Sequence, residues 1–368
     1  MAAPALSCMA GSDCTSVKGC VRIGACRSCG LLQKETSRAW QQLCDQIYGD
    51  YQIYHQAGGE EQKARGRGGG RLAPRSELIA DFLSKSGILP QQGRVLDIGC
   101  GNGAFLRAMR KTFPNWRLTG SDLNETFREQ ILAIDARASF QNRQQLEAGT
   151  DIFDVVSLIH CIEHIPAPVG YLAAVRRYIK ATGLLLIEVP DAELNPFDMV
   201  VADHASHFSK ATISAVVRAA GYEVIACGNL VVGKEITLLA RPLHDAHSAG
   251  PELADQGAAP FARRNLAWLE ETLNRGRALA GESRPFGIFG TSIAGIWIHS
   301  AIGSNVNFFV DEDDVRVGRK YFGVPILAPA SVPAGATVFV CLEPELSQAI
   351  AARHDDSTRR YVTSPALR

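Results

Sequence analysis

The chain has 368 residues, 46% of them apolar and 21% charged, and its 38 Lys+Arg balance 38 Asp+Glu to a formal net charge of zero. That length supports two or three folded cores, and that composition is not the composition of a disordered chain. A neutral chain lacks the phosphate-neutralising excess of a general nucleic-acid binder, and no apolar run approaches the roughly 20 residues that span a bilayer. A membrane partner is therefore not expected. No charged-then-apolar leader opens the sequence, so the cytoplasm is the expected compartment.

The cysteines are clustered. Of ten, five fall between Cys8 and Cys29, and Cys44 follows. In a reducing compartment such density favours metal binding over disulfides. Cys26 and Cys29 form a CxxC knuckle, with Gly30 suited to the tight backbone behind it. A tetrahedral zinc site needs four soft ligands, so Cys8 and Cys14 are expected to complete the set, with Cys20 as a substitute. Free thiols in an N-terminal segment are the plain alternative. A redox CxxC lacks the surrounding βαβ pattern.

In chain order, a helix is expected at 37–48, followed by the tyrosine-rich YGDYQIYHQAGG (48–59) and a glycine-rich joint, GRGGG (66–70). Strand and helix patterns then alternate as in a doubly wound α/β domain. Strands are expected at 94–98, 117–121, 139–142, 153–158, 183–189, 222–227 and 235–240, the last two as a hairpin. Helices are expected at 75–86, 104–112, 125–134, 169–180 and 210–220. A second linker, rich in Ala, Gly and Pro, spans 241–260. The division is 1–70 as a cysteine-rich zinc-binding module with its linker, 71–241 as the central α/β domain, and 242–368 as a C-terminal α/β domain.

The clearest chemical pattern is VLDIGCGNGAF (95–105), a buried strand running through a glycine turn into a helix. Gly99, Gly101 and Gly103 flank Cys100 and let the backbone approach a ligand where a Cβ would clash. Asp97 sits within the strand, placed to face a cationic ligand's ammonium. Asp122, ending LTGSDL (118–123) with Leu123 next to it, is placed to bind both hydroxyls of a ribose.

These stretches resemble the class I S-adenosylmethionine-dependent methyltransferases. VLDIGCGNG is similar to their first motif and GSDL to their acidic second-strand motif. FDVVSLIHCIEHI (153–165) and LLLIEVP (184–190) are similar to their fourth and fifth strands. The resemblance implies a seven-stranded Rossmann-like sheet, S-adenosylmethionine as cofactor, and cofactor contacts from Asp97, Gly99, Cys100, Gly101, Gly103, Asp122 and Leu123. His160 is expected near the cofactor, and Asn142 or Arg143 against its adenine.

The order of cysteine knuckle, methyltransferase core and second α/β segment resembles the three-part sugar C-methyltransferases. Their active-site segment, FDxxYHEHxSYFS, has its counterpart here in FDMVVADHASHFS (197–209). By that resemblance His204 stands at the base, Asp203 at the glutamate and His207 near the later aromatic, whereas Val201 and Ala202 replace Tyr and His. The expected substrate is a small molecule, a keto nucleotide-sugar methylated at carbon after His204 removes a proton next to its carbonyl. O- or N-methylation of another small molecule and a non-catalytic binder of the cofactor stay open. So does a dehydrogenase using the second glycine turn, FGIFGTSIAG (286–295), which either binds a nucleotide or only packs.

Overall fold

The computed structural model describes residues 6–49, 61, 63–67, 72–243, 258–282 and 285–367. Most of the tyrosine-rich stretch, the glycines at 68–70 and most of the linker at 241–260 lie outside them, as does the side chain of Cys20.

The central sheet has seven strands: β1 (Arg94–Ile98), β2 (Arg117–Asp122), β3 (Ser139–Asn142), β4 (Phe153–Ile159), β5 (Ile179–Pro190), β6 (Tyr222–Gly228) and β7 (Glu235–Pro242). Their spatial order is 6-7-5-4-1-2-3, with β7 antiparallel to both neighbours and the rest parallel. The expected strands and the closing hairpin are therefore present. β4 and β5 are buried on both faces, as central parallel strands are. β5 begins at Ile179, four residues before the expectation, because Ile179 packs buried and pairs with Phe153. The helix expected at 125–134 shrinks to Arg128–Leu132, since the Asn124 side chain takes the Thr126 amide into a turn.

The N-terminal residues are woven into the rest of the chain. A hairpin, Leu6–Ala10 with Ser16–Val21, is followed by strands Ile23–Ala25 and Leu32–Lys34, and the last of these pairs with Ser206–His207. Helix Arg38–Gly49 then buries Trp40, whose indole donates to the Ala202 carbonyl at 2.9 Å.

The expected zinc tetrad is not gathered. Cys8 and Cys14 pack against the C-terminal core, and Cys26 and Cys29 against the core of the central sheet. Among the described residues, no grouping of three or more potential metal ligands includes a cysteine. The knuckle itself is formed: Gly30 is left-handed at φ 72°, and the amides of Cys29 and Ser28 face the Cys26 sulfur and lower its pKa.

The C-terminal sheet comprises β8 (Phe286–Phe289), β9 (Phe308–Val310), β10 (Lys320–Tyr321), β11 (Val324–Leu327), β12 (Thr337–Val340) and β13 (Arg360–Thr363), in the order 10-11-9-8-12-13. The long helix Ala258–Glu282 docks it on the central domain. There Phe197 meets the rings of Trp268 and Trp297 edge-on at 5.3 and 6.0 Å. The strand, glycine turn and helix expected at 286–295 are present, but the glycines serve packing. A Cβ on Gly295 would lie 2.1 Å from the Gly290 carbonyl oxygen. Asp311, after β9, is spent internally on the Thr291 hydroxyl and Arg316.

Because the atom in the way at Gly295 is backbone, Gly295→Ala is expected to cost about 1–3 kcal/mol. Thermal unfolding checks this, and an unchanged Tm would show that the turn yields freely.

Candidate active site

A cavity of about 900 Å³ opens at the carboxyl ends of the central strands, the usual ligand position in an open α/β sheet. Ser12–Cys14 of the hairpin line one side, and Ser292–Ala294 with Arg316 of the C-terminal piece close another. Stretches distant in sequence thus line one cavity.

On the glycine-turn side, Gly99, Gly101 and Gly103 all adopt positive φ. The Gly101 and Leu123 amides donate to the two Asp122 oxygens at 2.9 and 2.7 Å. This fixes the carboxylate at the cavity rim with lone pairs to spare for vicinal hydroxyls. Gly99, Cys100, Gly101, Leu123 and His160 line the cavity as expected. Gly103 does not: it starts the helix Ala104–Thr112, and a Cβ there would strike Ile131 at 2.4 Å. Asn142 is also withdrawn. Its side chain caps helix Arg143–Ala148 and donates to Glu125, and Arg143 is the residue that reaches the cavity.

Asp97 is 3% exposed and accepts the Ser157 hydroxyl at 2.7 Å. Burial outweighs that hydrogen bond and pushes its pKa up to about 7. His160, left-handed at φ 49°, stands 3.2 Å from Glu163 and 3.3 Å from Glu235. Burial, and next Arg75, work against its charge, but the two carboxylates prevail and raise its pKa to about 9. Arg75 forks onto Glu235 with bonds of 2.7 and 2.8 Å.

The opposite wall comes from the segment after β5. His204 lines the cavity, and its Nδ1 is 2.7 Å from Asp198 Oδ1; His207 Nδ1 is 2.6 Å from the other oxygen. Burial works to raise the pKa of Asp198, yet the two imidazoles hold it well below the usual carboxylate range. An ionised carboxylate only accepts, so both Nδ1 atoms carry a proton toward Asp198, and Nε2 is the ring nitrogen of His204 that Asp198 does not engage. His207 lies behind, wholly buried, and burial drops its pKa to about 4. Asp203 is also buried behind the wall. It accepts the Ser12 amide and hydroxyl at 2.8 and 2.6 Å and faces His164 Nδ1 at 3.3 Å. Of the three expected catalytic residues, His204 faces the cavity and the other two brace it.

Asp198, Tyr48 and Lys34 were not assigned from sequence, whereas His164 was expected, with Glu163, on the pocket floor or in structural hydrogen bonds. Tyr48 Oη lies 3.0 Å from His164 Nδ1. Lys34, buried, donates to the Val201 carbonyl. Its pKa falls to about 8 through burial, against the pull of Asp198 and Asp203. The spacing D-x5-H-x2-H from Asp198 was the one available signal.

Asp97 yields a pH prediction. Its folded pKa lies above the unfolded value near 4, so the unfolded chain loses that proton first and stability falls as pH rises from about 4 to 7. Asp97→Asn removes the penalty and is expected to raise stability at pH 8 by a few kcal/mol while leaving it unchanged near pH 4. Denaturant titrations at the two pH values check this; equal shifts at both would contradict it.

Residues 72–226 match the family model described as a methyltransferase domain. The chain is similar to the ubiquinone biosynthesis O-methyltransferase of Cereibacter sphaeroides strain KD131, with 32% identity over 135 residues, 34% of this chain and 53% of the relative. It is similar also to that of Pseudomonas aeruginosa strain UCBPP-PA14, with 32% identity over 102 residues, 26% of this chain and 43% of the relative. The chain thus spans about half the length of the curated relatives it matches. Among solved structures, an O-methyltransferase family protein from Burkholderia thailandensis aligns at 23% identity and TM-score 0.39, over 46% of this chain and 56% of that one. Residues 72–226, which hold five of the seven strands of the central sheet and most of a sixth, thus form a methyltransferase domain.

Proposed function

We propose that the chain methylates a hydroxyl of a small molecule, with S-adenosylmethionine as donor and His204 as general base. The observation that carries this reading is the His204–Asp198 pair, set across one cavity from the Asp122 turn. The residues fit the cofactor: Asp122 for the ribose hydroxyls, the Gly99–Gly101 backbone for close approach, and Asp97 toward the ammonium end.

When bound, S-adenosylmethionine supplies an already activated methyl group, so the chain has only to present a nucleophile beside it and keep water out. His204 Nε2 takes the proton of the substrate hydroxyl. Asp198 holds the ring by Nδ1 and stabilises the imidazolium that forms. With a pKa near 4, His207 stays neutral and adds no competing positive charge. The hairpin and the start of the helix Ile293–Ile302 line the same cavity and narrow it.

A second reading is supported by the three-part chain, whose C-terminal sheet contributes to the same cavity. It is methylation at carbon of a keto nucleotide-sugar, with His204 drawing the proton next to the carbonyl. Solvent deuterium entering the substrate at that carbon distinguishes it from O-methylation.

Three variants test the assignment, using methyl-labelled S-adenosylmethionine with a panel of phenols, hydroxy acids and keto sugars, and mass spectrometry of the products. His204→Ala is expected to lower kcat on the order of 10²–10⁴-fold and to leave S-adenosylhomocysteine affinity intact. Asp198→Asn should lower kcat through the lost orientation of the ring. Asp122→Ala should weaken S-adenosylhomocysteine at least about tenfold, the cost of a lost charge-assisted pair. Full turnover by His204→Ala would remove the base from the scheme.

A further inference from the structure

We propose that Glu163, His164 and His204 form a binding site for one divalent cation of the zinc class, on the cavity wall. Each offers a ligand atom, and the three atoms lie within 4.8 Å of one another. Both imidazoles are already oriented as metal-binding histidines are, each with one ring nitrogen held by a carboxylate. Asp198 holds Nδ1 of His204 at 2.7 Å, and Asp203 faces Nδ1 of His164 at 3.3 Å, with Tyr48 Oη at 3.0 Å. The two Nε2 atoms are therefore the ones free to ligate. The rings meet edge to face, with centroids 4.7 Å apart and planes at 88°.

Glu163 supplies the independent observation. It is 1% exposed, and neither carboxylate oxygen makes a hydrogen bond; Oε1 approaches His160 Nδ1 at 3.2 Å without hydrogen-bond geometry. Its nearest charge is the His160 imidazole, which leaves most of its lone pairs without a hydrogen-bonded donor, and a cation between it and the imidazoles of His164 and His204 would take them up. His164 and His204 both line the cavity, so a fourth coordination position opens onto it. Two imidazoles and one carboxylate with an open position suit zinc; magnesium and calcium prefer oxygen ligands. The neighbouring group of Asp198, His204 and His207 is a poorer candidate, because its carboxylate oxygens are already used at 2.7 and 2.6 Å.

Occupancy and catalysis compete in this arrangement. The cation takes the Nε2 lone pair that the proposed base needs, so filling the site silences methyl transfer; this consequence, unlike the site itself, rests on the function proposed above.

The test uses the full chain carrying Cys26→Ser and Cys29→Ser, so that thiols do not compete, and titrates Zn2+ by calorimetry. Co2+ absorption provides a parallel readout, since thiolate charge-transfer bands expose any cysteine-bound metal. One equivalent of Zn2+ is expected, weakened about 10–100-fold or more in Glu163→Gln and in His164→Asn, with Mg2+ not binding. S-adenosylhomocysteine titrated into the same samples reports that the variants fold. Absence of a Zn2+ equivalent, or equal affinity in the parent and both variants, overturns the site. Methyl transfer that rises as Zn2+ fills it overturns the competition. Zn2+ bound as expected without any affinity for S-adenosylhomocysteine leaves the site standing and sinks the methyltransferase reading instead.

Discussion

Asp198 is taken out of water between two imidazoles, and a carboxylate so buried is tolerable only while both of its oxygens are matched. That requirement dictates the course of the chain after β5. The turn Pro196–Val200 must deliver the carboxylate to the same point that Ser206–His207 reaches from the other side. His204 is trapped between them with one nitrogen committed. The wall that presents His204 to the cavity is thus a by-product of satisfying one buried charge. Phe197, one residue earlier, fixes the same turn from outside by wedging between Trp268 and Trp297.

The remaining restraints on this segment come from the N-terminal residues. The Ala10 carbonyl accepts the Ala202 amide at 2.7 Å, Trp40 donates to the Ala202 carbonyl, Lys34 to that of Val201, and Ser12 grips Asp203. Small side chains at Ala202 and Ala205, both buried, let the hairpin and the helix Arg38–Gly49 close on the backbone. In the sequence resemblance, Ala202 reads as a lost histidine. In the fold it leaves room for Trp40, and His164, arriving from the β4 loop, supplies an imidazole on the same wall.

What was legible in the sequence follows from range. The seven central strands could be read because buried parallel strands are short apolar runs bounded by turns, a local pattern. Asp97, Asp122 and the glycine turn were legible because one strand–turn–helix unit contains or borders them. The bracing of His204 was not, because its partners Ser12 and Lys34 meet the segment across more than 160 residues. The cysteines show the reverse error. Their density along the chain says nothing about where the hairpin goes, and Trp297 and Tyr321 draw Cys8 and Cys14 to the C-terminal core by bonding their carbonyls. Gly103 and Asn142 read as ligand contacts because they sit in the right motif, yet a helix packing contact and a helix cap already occupy them.

The bonds from Trp297 to the Cys8 carbonyl and from Tyr321 to the Cys14 carbonyl have a temporal meaning as well. During synthesis the hairpin emerges well before the surface that receives it, which is encoded about 290 residues later. The central sheet has all of its strands by Pro242 and can form while the hairpin still waits. The wall around His204 then acquires its final bracing only after Trp297 and Tyr321 have been made. A nascent chain can therefore hold the finished Asp122 turn before the segment around His204 has its final bracing.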